Sequence, residues 1–113
     1  MALHHAHPGE IVDVRPLGRQ LSESISTTLI KTPHIQVFRF ILKRNQVFAE
    51  HKVPDEITIQ CLEGAVEFKT PVNTQILHAG ELVYLARGNL HELKGIVDSS
   101  VLVTIVTCET PQG

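Results

Sequence analysis

The stretch NQVFAEHKVPDEITIQCLEG, residues 45–64, decides how this chain reads. Asn45 tolerates the left-handed backbone that a tight turn needs. The chain then runs extended through His51 and enters a strand over residues 57–62. His51, Val53, Ile57, Ile59 and Cys61 share one parity, so period two places them on one face of the sheet. Glu63-Gly64 turns the chain back into AVEFK, residues 65–69. A second stretch, GELVYLARGNLH at residues 80–91, answers the first and ends on another histidine, His91.

Working outward, IQVFRFILK at residues 35–43 is a strand. Phe38, Phe40 and Leu42 fall on one face; Val37, Arg39, Ile41 and Lys43 fall on the other. Residues 24–31 (SISTTLIK) are rich in β-branched side chains and also read as a strand. Residues 11–14 (IVDV) alternate apolar and polar as a half-buried strand does. Downstream, residues 74–78, 82–85 and 90–94 are short strands, 97–100 a loop, and 101–108 (VLVTIVTC) a long apolar strand, buried on both faces or at an interface. No helical period is visible. Short strands punctuated by Gly, Pro, Asn and Asp indicate an all-β sandwich or barrel.

The chain has 113 residues, which suggests one domain able to bury a core without staples. Residues 1–10 read as a flexible tail, 11–108 as the barrel domain and 109–113 as a second tail. His4, His5 and His7 lie in the first tail, where a polar, terminal cluster is most simply solvated. The formal net charge is -2 with both signs interspersed, which excludes the basic stripe of a nucleic-acid binder. The two cysteines, Cys61 and Cys108, sit in apolar runs and read as buried free thiols, fitting a reducing compartment. Residues 1–10 hold no apolar segment of a signal peptide, and no run approaches the ~20 apolar residues of a membrane helix. A soluble, cytoplasmic protein without a membrane partner is expected.

The two stretches resemble the two motifs of the cupin superfamily, in particular its small, single-domain RmlC-like members of the cupin-2 type. The first motif, Gly-x5-His-x-His-x3-Glu-x6-Gly, aligns without a gap on Gly64. Asn45 stands at its first Gly, His51 at its first His, Val53 at its second His and Ile57 at its Glu. The second, Gly-x5-Pro-x-Gly-x2-His-x3-Asn, matches at Gly80, Gly88 and His91, with Ala86 at the Pro and Gly95 at the final Asn. The resemblance implies a double-stranded β-helix, a jelly-roll cupin barrel. It also implies a homodimer, to which residues 11–14 could lend a strand.

In relatives with both motifs complete, three histidines and a glutamate hold a divalent metal inside the barrel. Here the first motif is degenerate. His51 and His91 remain at ligand positions, whereas Val53 and Ile57 cannot ligate. Glu56 could supply a third ligand only through a bulge or register shift, because adjacent strand residues face opposite ways. Glu50 and Gln60 are poorer candidates for the same reason.

Two readings of function therefore stay open. In one, the barrel binds a small molecule in a largely apolar pocket. That pocket is lined by Phe40, His51, Val53, Ile57, Ile59, Cys61, Tyr84 and His91, with the two histidines at its mouth and no full metal site. In the other, the protein is an enzyme with one divalent metal (Fe, Mn, Ni or Zn) on His51, His91 and a third ligand, and its chemistry is dioxygenase-, isomerase- or decarboxylase-like. Tyr84 reads as core with a hydrogen-bonded hydroxyl. Arg39, among apolar residues on its strand, either lines a pocket or caps an interface.

Overall fold

A computed structural model of the chain describes residues 4–51 and 54–107, with the backbone alone over residues 49–51. Among these residues nine strands form in order: β1 (Thr27–Lys31), β2 (Ile35–Leu42), β3 (Val47–His51), β4 (Glu56–Glu63), β5 (Ala65–Lys69), β6 (Thr74–His78), β7 (Leu82–Leu85), β8 (His91–Gly95) and β9 (Ser99–Val106). They assemble into a five-stranded sheet, β1-β2-β9-β4-β7, and a four-stranded sheet, β3-β8-β5-β6. Every pairing is antiparallel. The two sheets face each other as the walls of a jelly-roll barrel, the double-stranded β-helix that the sequence predicts.

Alternation decides which residues fill the barrel. On β4, Ile57, Ile59 and Cys61 point inward and all are at most 4 % exposed. Val66 and Phe68 on β5, Leu77 on β6, Leu85 on β7, Leu93 on β8, and Val101 and Val103 on β9 complete one core cluster with Leu42. Phe38, Phe40, Phe48, Val83 and Ile105 pack against its rim. Burying each such side chain is worth about 1.5–3 kcal/mol, enough to hold two sheets together without staples. The parity set on β2 behaves as read: Phe38, Phe40 and Leu42 meet the core. Val37, Arg39 and Ile41 are also buried, but on the opposite face and outside that cluster.

What covers that second face departs from the sequence reading. Residues 11–14 form no strand, and Ile11 is 92 % exposed. The Asp13 carboxylate accepts instead from the Arg15 backbone N–H at 2.9 Å and its guanidinium at 2.8 Å, a local turn that competes with extension. Further along, Gly18–Glu23 winds into a short 3-10 helix with Leu21 buried. Six residues, with Leu21 their one apolar side chain, are too few to announce a period. Ala6 N–H donates to the Leu29 carbonyl at 2.9 Å, so part of the first ten residues lies against β1. At the other end, β9 begins at Ser99, inside the stretch read as a loop.

Two turns explain motif residues. Asn45 adopts φ 66°, the left-handed conformation, where the motif carries Gly. Gly64 has φ 83°, and a β-carbon there would collide with Ser99 Oγ and come within 2.6 Å of the Asp98 carbonyl oxygen.

Candidate functional site

The ladder between β3 and β8 brings the two motif histidines together. Phe48 pairs with Leu93, the register then shifts, and His51 pairs with His91. The shift inserts an extra residue on the β3 side, a bulge of the kind that re-aims a strand. Residues forty apart in sequence are thus cross-strand neighbours. The His91 ring is 3 % exposed. Its Nδ1 lies 3.3 Å from the Asn89 carbonyl oxygen, a hydrogen bond in the tautomer that carries its proton on Nδ1. The ring also stacks on Phe68, with centroids 6.2 Å apart and planes inclined at 26°. Val53 lies outside the described residues.

Ile57, Ile59 and Cys61 form the inner wall on β4. The Cys61 thiol donates toward the Glu63 carbonyl at 3.4 Å and the Gly64 carbonyl at 3.7 Å. Burial is the main influence pushing its pKa above the usual 9.0, so it stays a neutral thiol. Phe40 lines a separate cavity of about 130 Å³ with Phe48 and Leu93. It also lies between Phe38 and Phe48, at centroid distances of 5.8 and 5.0 Å.

Two expectations need correction. Tyr84 is not core: it is 58 % exposed on the outer face of β7. Leu85, its neighbour, takes the inward position, because a strand can bury only alternate residues. Glu56 is equally an outer residue, and the Tyr84 hydroxyl donates to its carboxylate at 2.6 Å. No bulge turns Glu56 inward: the β4–β7 register runs unbroken from Ile57–Leu85 to Gln60–Leu82.

This donor set does not fit a complete cupin metal centre. Among the described residues, no three His, Cys, Asp or Glu side chains converge on one point. Ile57, at the glutamate position, is hydrocarbon packed in the core.

The sequence reading missed the larger free space, which lies at one end of the barrel. β6 and β7 are edges of different sheets and share no ladder, so the wall opens between them. The gap leads to a cavity of about 570 Å³ lined by Phe68, Val72, Asn73, Tyr84, Leu85 and Asn89 among others. A smaller cleft of about 180 Å³ adjoins it and shares Phe68, Gln75 and Val83. Among the described residues the larger lining holds no charged side chain; its polar members are Thr70, Asn73, Gln75, Tyr84 and Asn89. Phe68 and Leu85 were legible as inward residues from parity, but the gap between the sheets was not. His91 stands directly behind the Phe68 wall.

The architecture places the protein among double-stranded β-helix barrels of the cupin type. Comparison with solved structures agrees. A cupin superfamily protein from Desulfitobacterium hafniense superposes with a TM-score of 0.75 at 14 % identity, covering 91 % of this chain and 100 % of its own. A conserved protein of unknown function from Streptococcus pyogenes gives 0.74 at 18 % identity, covering 97 % of both chains. An RmlC-like cupin protein from Desulfovibrio desulfuricans gives 0.71 at 20 % identity, covering 86 % of this chain and 97 % of its own. At such identities the likeness speaks for the fold. No protein-family model matches the sequence, and no curated protein matches it. Among the described residues, no helix is long and apolar enough to cross a membrane.

Proposed function

We propose that this protein binds a neutral, largely apolar small molecule in the cavity between the ends of β5, β6 and β7. One observation carries the reading: an opening of about 570 Å³ whose lining combines Phe68, Leu85 and Val72 with uncharged hydrogen-bonding groups. Pockets of this size accept drug-sized ligands, and a lining without charge disfavours ions, which would be desolvated with nothing to pair them. Ile57 at a ligand position and the packed interior support a metal-independent role as sensor or binding module. His91, held behind Phe68, stiffens the back wall.

A nuclear magnetic resonance titration with indole and with indole-3-acetate tests this. The neutral probe is expected to shift Phe68, Val83, Leu85 and Leu90, and the anion to bind at least tenfold more weakly. Val72→Trp, placed on an exposed rim residue, is expected to block the shifts. Equal binding of both probes, or shifts confined to other regions, rejects the proposal.

A second reading rests on the pairing of His51 with His91 across β3 and β8. Two histidines on paired backbone positions would offer a partial ligand set for Fe, Mn, Ni or Zn, and the chemistry would be dioxygenase-, isomerase- or decarboxylase-like. Metal analysis of untagged protein lacking residues 1–7 separates the readings. About one metal per chain, lost in His51→Ala and His91→Ala, favours the enzyme; none after reconstitution favours the binding module.

We further propose a cytoplasmic homodimer. Its support is the row of exposed apolar side chains Leu82, Tyr84 and Val106 on the outer face of the larger sheet.

A further inference from the structure

We infer that residues 13–26 form a strap that lifts off the outer face of the larger sheet as a unit, with the Glu63 carboxylate as its latch and the barrel left closed behind it. The strap covers a face that the core does not use. Val37, Arg39 and Ile41 are buried there, yet none belongs to the core cluster. Among residues 13–26 only Leu21 is buried, so little apolar area holds the strap down.

Polar contacts hold it instead, and they converge on one group. Glu63, at the end of β4, accepts from Leu17 N–H at 2.7 Å and Gly18 N–H at 3.1 Å. These amides open the 3-10 helix, where backbone donors lack partners within the helix. Glu63 caps that helix across 46 residues of chain, while Ser100 Oγ steadies the same carboxylate at 2.8 Å. The remaining ties are single bonds: Arg39 Nη2 to the Arg15 carbonyl at 2.8 Å, Lys43 Nζ to the Ser22 carbonyl at 2.8 Å, and Ile41 N–H to Ser26 Oγ at 2.9 Å.

One feature favours release. Arg39 is 8 % exposed and its Nε has no hydrogen-bond partner among the described residues. A buried donor left unsatisfied costs free energy that water would restore on opening. The strap's base is fixed on both sides, by Ala6 N–H on the Leu29 carbonyl and by the β1–β2 ladder from Thr27. It therefore opens as a closed loop and not as a fraying end.

The groups facing the latch set its pH response. Arg39 approaches from β2, Ser100 from β9, Cys61 lies on β4, and the Asp13–Arg15 pair lies on the strap. Desolvation raises the Glu63 pKa most, but the bonds from Leu17, Ser100 and Gly18 together with the Arg39 charge outweigh it. The carboxyl ends below the usual 4.5. A depressed pKa means the latch holds above that range and is lost as pH falls through the folded value. Hydrogen bonds from Arg15 hold the Asp13 carboxyl down to about 2.

Hydrogen exchange on the full chain tests the strap. In Glu63→Ala, amides of residues 13–26 are expected to exchange at least tenfold faster while those of β4 and β9 change less than twofold. Leu21 methyl resonances of the wild type are expected to move, as the pH is lowered stepwise below 4.5, toward the position that Glu63→Ala holds at every pH. Should Glu63→Ala fail to fold, Ser100→Ala gives the smaller version of the same pattern. Strap and barrel loosening together, or a strap as protected as in the wild type, overturns the inference.

Discussion

Tyr84 donates its hydroxyl to the Glu56 carboxylate at 2.6 Å, diagonally across the β4–β7 pair and on the outside of the barrel. This bond commits both residues to the surface. It removes Glu56 from the list of interior ligands and Tyr84 from the core. Tyr84→Phe is therefore expected to cost less than about 1 kcal/mol, because an exposed hydrogen bond is exchanged for one to water. Glu56→Ala is expected to leave metal content and the indole titration unchanged. Urea denaturation and metal analysis read the two outcomes.

The inward face of β4 behaves oppositely. Ile59 is 1 % exposed at the centre of the core cluster. Ile59→Ala removes buried carbons from close packing and is expected to cost about 2–5 kcal/mol, lowering Tm by roughly 10–20 °C. A loss under about 1 kcal/mol in thermal unfolding would mean that the barrel interior is looser than described.

Gly64 joins β4 to β5 with φ 83° and no room for a β-carbon beside Ser99 and Asp98. Gly64→Ala adds left-handed strain to a collision with buried backbone, and is expected to cost at least about 2 kcal/mol. Gly80 also has positive φ but open space around it, so Gly80→Ala should cost less than Gly64→Ala. Parallel denaturation curves check the order.

Cys61 is fully buried and its pKa is raised, above all by desolvation. A raised folded pKa stabilises the protein fully below the unfolded value and loses that contribution as pH rises through the folded one. The wild type is thus expected to lose stability above about pH 9 faster than Cys61→Ala does. Peptide mapping after iodoacetamide at pH 8 should find Cys61 unmodified in the native protein and modified in urea.

The outer apolar row predicts self-association. Light scattering is expected to give a dimer for the wild type, and Tyr84→Asp with Leu82→Asp a monomer that keeps the wild-type circular dichroism. A wild-type monomer across the micromolar range would reject the dimer.

How much of this was legible from the residues depends on the range of the interaction. Alternation over β2, β4, β5 and β9 fixed the strands and their inward faces, since period two is a local property of extended chain. The gapless spacing of His51, Gly64, Gly80, Gly88 and His91 pointed to the barrel, because each glycine or histidine answers a turn or ladder position that the fold requires. Residues 11–14 misled for a related reason: alternation says a strand is possible, but here Asp13 bonds locally to Arg15 and the segment pairs with no sheet edge. Only the tertiary structure decided that His51 and His91 are neighbours, that the wall parts between β6 and β7, and that Glu63 reaches Leu17 across 46 residues. These are long-range pairings, whose free energies depend on which surfaces meet and which buried groups find partners, and no window of sequence contains both sides.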